Sequence, residues 1–407
     1  MDFTLTDEQA AIREVARDFA KRQIAPNVIE WERTGHFPRE VAEQMGELGF
    51  LGCCFPEEYG GSEAGFVSLV LVIEEIARVW QPAAGFFNPN GMTVPFTILN
   101  WGTEEQRQRW VEPLIKGKLI GSFGLTEPEG GSDALGSMRS RATKIDGGWK
   151  LDGTKIFNSL AHVADLDLVF ARTSDDGHRG ISAFLVPLDT PGITANPIEH
   201  SILGECIPTS EVSFADVELP EEALLGEVGQ GFTIAMNALD YGRLTVPARC
   251  VGIAQGCVDV SLEYARERVV FGNPIGTYQL IQGLITDMVV ETDAARMLTY
   301  HSAWLKDCGK TATRESARSK YFAAEVAARV ATRAFELFGG YAVTDEYPVA
   351  RMFTWAHLYR TGEGSANIQR MLVANDALGF KLADRHAIER TFGLASDIEP
   401  VGQWLNG

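Results

Sequence analysis

A glutamate between two glycines lies near the end of the chain, in the run Gly362-Glu363-Gly364-Ser365. Flanking glycines give the backbone unusual freedom and little steric support, which is poor for stability. The same freedom suits a carboxylate that must reach a substrate and act as a general base. A solvated loop glutamate is the alternative interpretation. The pattern therefore makes Glu363 a candidate catalytic base.

The second candidate cluster is a polar loop rich in small residues. It runs Leu125-Thr126-Glu127-Pro128-Glu129-Gly130-Gly131-Ser132-Asp133, at the junction of a helical and a β-rich part of the chain. Such a loop can direct backbone N–H groups and hydroxyls at an anionic or electron-rich ligand. A tight turn between domains is the alternative. The loop is a candidate ligand site.

Two further clusters lie at the ends of predicted helices. Arg268, Phe271 and Gln279 follow one long helix, where an arginine would either complement the helix dipole or bind a phosphate. The run Phe338-Gly339-Gly340-Tyr341 closes another. A glycine pair is a common helix stop, and it also lets a ligand or a second backbone approach closely. Neither cluster identifies a function alone.

The bulk properties exclude several classes of protein. The net charge of −19 over 407 residues argues against a nucleic-acid partner, which would need a basic face. No apolar run reaches the roughly 20 residues of a membrane helix, and Met1 to Gln9 does not resemble a secretory signal. The usual nucleotide signatures, GxGxxG after a strand and GxxxxGK[ST], are missing. Any nucleotide cofactor must be held in another way.

The cysteines indicate neither a disulfide framework nor a metal site. They are Cys53, Cys54, Cys206, Cys250, Cys257 and Cys308. None forms a CxxC pair or stands at zinc spacing from a histidine. We interpret them as reduced, mostly buried thiols, expect no metal, and place the protein in a cytosolic or matrix-like compartment.

Three parts of the chain must position these clusters, and hydrophobic periodicity separates them. Helical patterns fill residues 1–120, beginning with a capping box between Thr6 and Gln9. Short β-branched segments with glycine turns fill 121–231, including a hairpin about Asp146-Gly147. Long alanine-rich helices return in 232–407, at Phe232–Val269, Tyr278–Lys306, Glu315–Leu337 and Ile368–Phe380. Four such helices predict an antiparallel bundle.

In this order, the four clusters resemble those of the acyl-CoA dehydrogenase family of flavoproteins, along nearly the whole chain. Further family-like segments are Thr190-Pro191-Gly192-Ile193, Phe214-Ala215-Asp216-Val217-Glu218-Leu219-Pro220 and Gly229-Gln230-Gly231-Phe232. The resemblance implies an α+β fold: an N-terminal helical domain, a middle β-barrel domain and a C-terminal four-helix bundle. It also implies a homotetramer, a dimer of dimers, in which each subunit helps to hold its neighbour's FAD.

The resemblance assigns roles residue by residue. Residues expected at the subunit's own FAD are Leu125, Thr126, Gly131, Ser132, Phe157, Ser159, Ser365 and Asn367. Those expected to reach the FAD of the partner subunit are Arg268, Phe271, Gln279, Glu336, Gly339 and Gly340. Ser132, Arg243 and Gly364 are expected at the substrate, and Glu363 as the base.

The implied reaction is FAD-dependent α,β-dehydrogenation of an acyl-CoA thioester to the 2-enoyl-CoA. Electrons would pass to an electron-transferring flavoprotein, in fatty or organic acid catabolism. The expected location is the bacterial cytoplasm or, as an alternative, the mitochondrial matrix. Some relatives carry the base on an earlier helix, at a position that is Gly242 here. Glycine cannot act as a base, which favours Glu363.

Three departures from the family pattern concern the substrate and the flavin. Phe157-Asn158-Ser159-Leu160 replaces a Trp-Ile-Thr-Asn run and loses the indole donor. Gly362 replaces a tyrosine before the base, which predicts room for a bulkier or branched acyl group. The stretch Gln81 to Pro95 contains no lysine or arginine. A carboxylate at the far end of the acyl group would therefore have to be neutralised from elsewhere.

Other functions remain open at this point. The same fold could act on an acyl-carrier-protein thioester or as an acyl-CoA oxidase. A flavin monooxygenase would lack the base, and so would a non-catalytic flavoprotein subunit, so Glu363 argues against both.

Overall fold

The computed structural model of the chain describes residues 4–198 and 206–383. The capping box that the sequence predicts opens the first helix: Thr6 Oγ1 accepts from the Gln9 N–H at 3.1 Å, and the Gln9 side chain accepts from the Thr6 N–H. The helices of this part are α1 (Asp7–Phe19), α2 (Val28–Thr34), α3 (Arg39–Glu47), α4 (Gly65–Val79), α5 (Gln81–Ala84), α6 (Phe87–Gly91), α7 (Thr93–Trp101) and α8 (Glu104–Ile115).

The middle part of the chain forms one sheet. Its strands are β1 (Gly121–Gly124), β2 (Arg141–Ile145), β3 (Gly148–Ser159), β4 (Leu166–Arg172), β5 (Ile181–Pro187), β6 (Ile193–Pro197), β7 (Thr209–Pro220) and β8 (Leu224–Leu225). They are ordered β6-β7-β3-β2-β4-β5-β8, with β1 parallel to β4. The hairpin is confirmed, because Ile145 pairs with Gly148 across the Asp146-Gly147 turn.

Long helices return after the sheet, as the sequence predicts. They are α9 (Gly231–Glu267), α10 (Gln279–Asp307), α11 (Thr313–Phe338), α12 (Val349–Leu358) and α13 (Ala366–Ala377), with the short hairpin β9 (Val269–Val270) and β10 (Asn273–Pro274) after α9. The prediction missed α12, which buries Met352, Trp355 and Ala356. It also extended the last helix to Phe380, whereas α13 ends at Ala377 before the left-handed Gly379.

The domain bounds 1–120, 121–231 and 232–407 stay predictions, and residues 384–407 of the last domain lie outside the described residues. Within the described residues, no helix is long and apolar enough to cross a membrane. No group of three or more His, Cys, Asp or Glu side chains there is placed to hold a metal ion. The six cysteines are free thiols. Burial raises the pKa of Cys53, Cys250 and Cys257 to about 12.

A carboxylate from the C-terminal helices joins the first and third parts of the chain. Asp307, at the end of α10, accepts the backbone N–H groups of Phe66 and Val67 at 2.6 and 3.0 Å. These donors begin α4, whose first-turn N–H groups have no partner within the helix. Gly65 makes the approach feasible, because it is left-handed and an added Cβ would lie 2.8 Å from Asp307 Oδ1. Asp307 therefore stabilises both α4 and its docking on α10.

Asp307→Ala is expected to reduce the free energy of unfolding by about 2 kcal/mol, since it removes a buried cap and leaves two buried donors unpaired. Thermal unfolding followed by circular dichroism measures the change. Asp345→Ala is the matched control, because Asp345 lies in an exposed turn. Equal midpoints for the two variants would contradict the capping role.

Candidate active site

Glu363 lies in the loop between α12 and α13, with its backbone in the left-handed region at φ 53°. Gly364 follows at φ 84°. A non-glycine residue in this region is strained, so surrounding contacts must hold it there. The Glu363 side chain is 31% exposed, and its Oε1 lies 3.7 Å from Arg249 Nη1. The candidate base is thus half-buried beside a cation, and it is not a freely solvated loop residue.

A buried lysine holds the loop of the candidate base. Lys320 of α11 is fully buried and donates from Nζ to the carbonyl oxygens of Tyr359 and Gly364 at 2.9 and 2.7 Å. These two carbonyls stand on either side of Glu363 in the chain. Ser365 closes the loop by accepting the Ile368 N–H at 3.3 Å, which caps α13. Burial lowers the pKa of the Lys320 amine.

Gly242, the position at which some relatives carry the base, faces the Glu363 carboxylate. A Cβ added to Gly242 would lie 3.2 Å from Glu363 Oε2 and 3.4 Å from Thr93 Oγ1. A carboxylate on α9 could therefore reach the space that Glu363 occupies, but this chain has a glycine there. Arg243, the next residue, ion-pairs with Asp240 at 3.7 Å.

The sequence did not reveal a polar cluster beside the base. Arg249 of α9 donates to Asn88 Oδ1 at 2.7 Å and to the Tyr359 hydroxyl at 3.3 Å. Asn88 lies in α6 and Tyr359 directly follows α12, so distant segments assemble the cluster. One signal was available: Arg249 stands seven residues after Gly242, which places both on one face of a helix. It becomes visible only once Gly242 is assigned to the site.

The two clusters predicted along the flavin lie side by side. The Thr126 carbonyl accepts the Ile156 N–H at 2.9 Å, which joins the Leu125–Asp133 loop to the end of β3. Phe157 follows with a left-handed backbone at φ 61° and a side chain that is 64% exposed. The Ser159 carbonyl accepts from Ser122 Oγ at 3.1 Å. Together these segments form an edge with an exposed aromatic ring.

Gly131 and Ser132 stand at the open part of the loop. A Cβ added to Gly131 would meet no atom within 4 Å, and Ser132 is exposed. Asn367 lies in the first turn of α13 and accepts from Arg370 at 2.9 Å. Gly131 and Ser132 are therefore accessible to a ligand, and Asn367 lies on the helix that follows Glu363.

The cluster predicted to serve a partner subunit is exposed in the single chain. Phe271 is 91% exposed at φ 51°, and the Arg268 guanidinium lies 5.5 Å from the centre of the Tyr341 ring. The Glu336 carbonyl accepts the Gly339 N–H at the end of α11, and Gly339 has φ 57°. Gln279, the first residue of α10, and Gly340, the residue after Gly339, complete this cluster.

A buried ion pair joins the Leu125–Asp133 loop to β3. Lys155 Nζ lies 2.7 Å from Glu127 Oε1, and both side chains are buried. Glu127 also accepts the N–H groups of Arg139 and Ser140 at 2.6 and 2.9 Å. Its pKa is lowered, since the cation and these donors outweigh the effect of burial. The pair fixes the predicted loop to β3.

A second acid is buried close to this pair. Asp167 of β4 accepts from Asn158 Nδ2 at 3.0 Å, and Asn158 separates Phe157 from Ser159. Burial raises the pKa of Asp167 to about 7, although Lys155 acts in the opposite direction. Lys155 is already paired with Glu127, so a charged Asp167 would leave an excess negative charge in the interior.

The Asp167 carboxyl makes stability depend on pH. Its ordinary pKa is 3.8. Between that value and about 7 the unfolded chain releases the proton while the folded chain keeps it, so stability falls as pH rises through this window. Asp167→Asn is always neutral, so its thermal midpoint is expected to exceed that of the wild type near about pH 8. The gap should shrink near about pH 5. A gap that does not change with pH would contradict this, and Asp345→Asn is the exposed control.

Comparisons with known proteins identify the class to which this fold and site belong. Family profiles match the acyl-CoA dehydrogenase N-terminal domain at residues 6–118, the middle domain at 122–217 and the C-terminal domain at 229–378. A probable acyl-CoA dehydrogenase of Bacillus subtilis is 40% identical over 93% of this chain and 100% of its own length. A caffeyl-CoA reductase–Etf complex subunit of Acetobacterium woodii is 36% identical over 92% and 99%.

Solved structures agree with the sequence comparisons. A glutaryl-CoA dehydrogenase–glutaryl-CoA complex superposes with a TM-score of 0.92 at 38% identity, covering 95% of this chain and 98% of that chain. The glutaryl-CoA dehydrogenase of Mycobacterium smegmatis in complex with FADH2 has a TM-score of 0.87 at 32% identity, covering 94% and 97%.

The chain belongs to the acyl-CoA dehydrogenase family. It is an oxidoreductase, and its cofactor is FAD. The predicted family, the α+β fold with helical, β and helical domains, and the cofactor are thereby confirmed.

The residues present fit a flat, anionic dinucleotide. The edge with Phe157 presents an aromatic ring to an open face, and the Gly131 backbone is accessible to a ligand. The exposed Phe271 and Leu280 form apolar surface that this chain alone leaves uncovered. Arg268, whose guanidinium lies 5.5 Å from the centre of the Tyr341 ring, is an exposed cation of the kind that binds phosphate.

Proposed function

We propose that the protein removes the α-proton and the β-hydride of an acyl-CoA thioester, giving the 2-enoyl-CoA, and passes the electrons to an electron-transferring flavoprotein. One observation carries the proposal. Glu363 is held in a strained backbone conformation, half-buried, by a fully buried lysine that binds the loop on both sides of it. Strain that the surroundings maintain is typical of residues with a chemical role.

Glu363 acts as the base in this mechanism. Its carboxylate accepts the α-proton while the thioester oxygen gains negative charge. The Glu363 backbone N–H makes no hydrogen bond within the described residues, so it is available to that oxygen. One such preorganised donor is typically worth about 3 kcal/mol in the transition state. FAD supplies the acceptor for the β-hydride.

The remaining assignments follow the same proposal. The subunit's own FAD lies against Leu125, Thr126, Gly131, Ser132, Phe157, Ser159, Ser365 and Asn367. The partner's FAD is reached by Arg268, Phe271, Gln279, Glu336, Gly339 and Gly340 in a homotetramer. Ser132, Arg243 and Gly364 contact the substrate. The cytoplasm of a bacterium is the proposed location, with a role in fatty or organic acid catabolism.

Gly362 bears on the size of the acyl group. An added Cβ there would meet the Leu358 carbonyl only at 3.6 Å, an ordinary contact. The position therefore needs no glycine for packing in this subunit. The predicted room beside the base stays a prediction about the width of the acyl group and does not bear on its length.

Turnover with an electron-transferring flavoprotein and a panel of acyl-CoA thioesters tests the proposal, with mass spectrometry of the products. We expect a product with two hydrogens fewer than the substrate, formed without consumption of oxygen. Hydrogen peroxide in amounts equal to the product would indicate an oxidase instead. Activity confined to carrier-protein thioesters would contradict the CoA assignment.

A further inference from the structure

A buried arginine lies beside the candidate base. Glu363 Oε2 lies near Gly242, and Glu363 Oε1 lies 3.7 Å from Arg249 Nη1, so the carboxylate spans the two positions on α9. A helix rises 1.5 Å per residue, which places the Cα atoms of Gly242 and Arg249 about 10 Å apart. Arg249 therefore lies two turns further toward the C-terminus of α9 than Gly242, on the same face of the helix.

Arg249 is a buried cation whose hydrogen bonds all go to neutral groups. The side chain is 4% exposed, and its hydrogen-bond partners Asn88 and Tyr359 are neutral groups. Burial raises the pKa of the Tyr359 hydroxyl to about 12, which keeps it uncharged. Arg249 Nε has no partner among the described residues. The one carboxylate within 4.0 Å of its guanidinium, in the same part of the chain, is Glu363.

Among the described residues, no second carboxylate pairs with Arg249. Lys320 is a second buried cation, bound to carbonyl oxygens. Asp240 is already paired with Lys306 at 3.0 Å. The pair with Glu363 is long at 3.7 Å, so the guanidinium has room to bind a second carboxylate more closely, whereas a straight hydrocarbon chain would gain nothing from it. The site therefore favours an anionic occupant.

Further polar side chains surround Arg249 and its partners. Asn88 Oδ1 accepts from Thr245 Oγ1 as well as from Arg249, and Gln81 donates to the Tyr359 hydroxyl. Gln81 Oε1 has no partner among the described residues. These groups fix the guanidinium from several sides, so it is preorganised for a ligand. Apolar side chains would be expected here if the acyl group were purely aliphatic.

We propose that the acyl group is short and ends in a carboxylate, which Arg249 binds with Asn88 beside it. The substrate is then the CoA monothioester of a dicarboxylic acid; this inference rests on the proposed function. The acyl chain must be short because the carboxylate of the base and the guanidinium that binds its far end are only 3.7 Å apart. The sequence offers no cation between Gln81 and Pro95, and α9 supplies it instead.

Anaerobic titration with matched thioesters tests the proposal. Glutaryl-CoA and succinyl-CoA are compared with pentanoyl-CoA and butanoyl-CoA, which lack the carboxylate. We expect the bound flavin to lose its visible absorbance with at least one carboxylate substrate. In turnover with an electron-transferring flavoprotein, kcat/KM for that substrate should be about 100-fold or more above the value for its unsubstituted partner. In Arg249→Met this ratio should fall toward one, and Arg249→Lys should recover part of it.

Other outcomes would separate the two claims. Pentanoyl-CoA reacting as well as glutaryl-CoA would overturn the carboxylate proposal and leave the dehydrogenase function standing. Equal rates with 5-hydroxypentanoyl-CoA and glutaryl-CoA would also overturn it, since a neutral oxygen would then suffice. No response to any acyl-CoA at full FAD occupancy would overturn the proposed function itself. If Arg249→Met does not fold, the preference of the wild type decides the question.

Discussion

Glu363→Gln is expected to lower turnover about 10³- to 10⁴-fold, because it removes the proton acceptor and preserves the size and shape of the side chain. FAD should remain bound, since the residues proposed to hold it are unchanged. Turnover is measured as reduction of an electron-transferring flavoprotein by the substrate that the wild type prefers. The ratio of flavin absorbance to protein absorbance reports the FAD content.

The control for this prediction is a glutamate without a chemical role. Glu346 lies in an exposed turn before α12, so Glu346→Gln should behave as the wild type. A Glu363→Gln protein that retains FAD and more than about a tenth of the activity would exclude Glu363 as the base. Loss of both FAD and activity would point to a structural role for the loop.

Lys320→Met is expected to produce the second large effect. It removes two hydrogen bonds from a charged donor. The Tyr359 carbonyl then loses its buried partner, and the Gly364 carbonyl keeps only the weaker donor Gln369 Nε2 at 3.5 Å. We expect a loss of roughly 3 kcal/mol in the free energy of unfolding. Turnover should fall about 100-fold, because the base would no longer be held at the reacting carbon.

The kinetic pattern separates positioning from general instability. If Lys320 positions Glu363, kcat should fall much more than KM rises, at a temperature where the variant is folded. Lys320→Arg should recover part of kcat, and Lys310→Met, at an exposed lysine, should change neither quantity. Normal kcat in a destabilised Lys320→Met protein would show that the lysine serves stability alone.

Local patterns made much of the fold predictable. The Thr6–Gln9 capping box, the Asp146-Gly147 hairpin and the long helices after the sheet depend on residues close together in sequence. The order of the strands was not predictable in this way. The parallel pairing of β1 with β4 joins segments more than forty residues apart, which no local pattern encodes.

In the candidate site too, locally marked residues could be predicted and residues that meet only through the fold could not. Glu363 was singled out because two glycines mark it and because the family resemblance assigns the base to this position; its role as the base stays a prediction. Arg249, Asn88 and Lys320 were missed because each looks ordinary in its own segment and meets the base only in three dimensions. The helix α12, which brings Tyr359 to the site, was also missed. A buried arginine on an alanine-rich helix carries no sequence signal that separates it from a surface arginine.

The most direct test of the account is an anaerobic titration of the purified flavoprotein with acyl-CoA thioesters, followed through the visible flavin absorbance. We expect at least one thioester to bleach the wild-type flavin fully, and none to do so in Glu363→Gln with FAD still bound. Bleaching that persists unchanged in Glu363→Gln would contradict the role of the base. No bleaching of the fully occupied wild type by any acyl-CoA would contradict the dehydrogenase function.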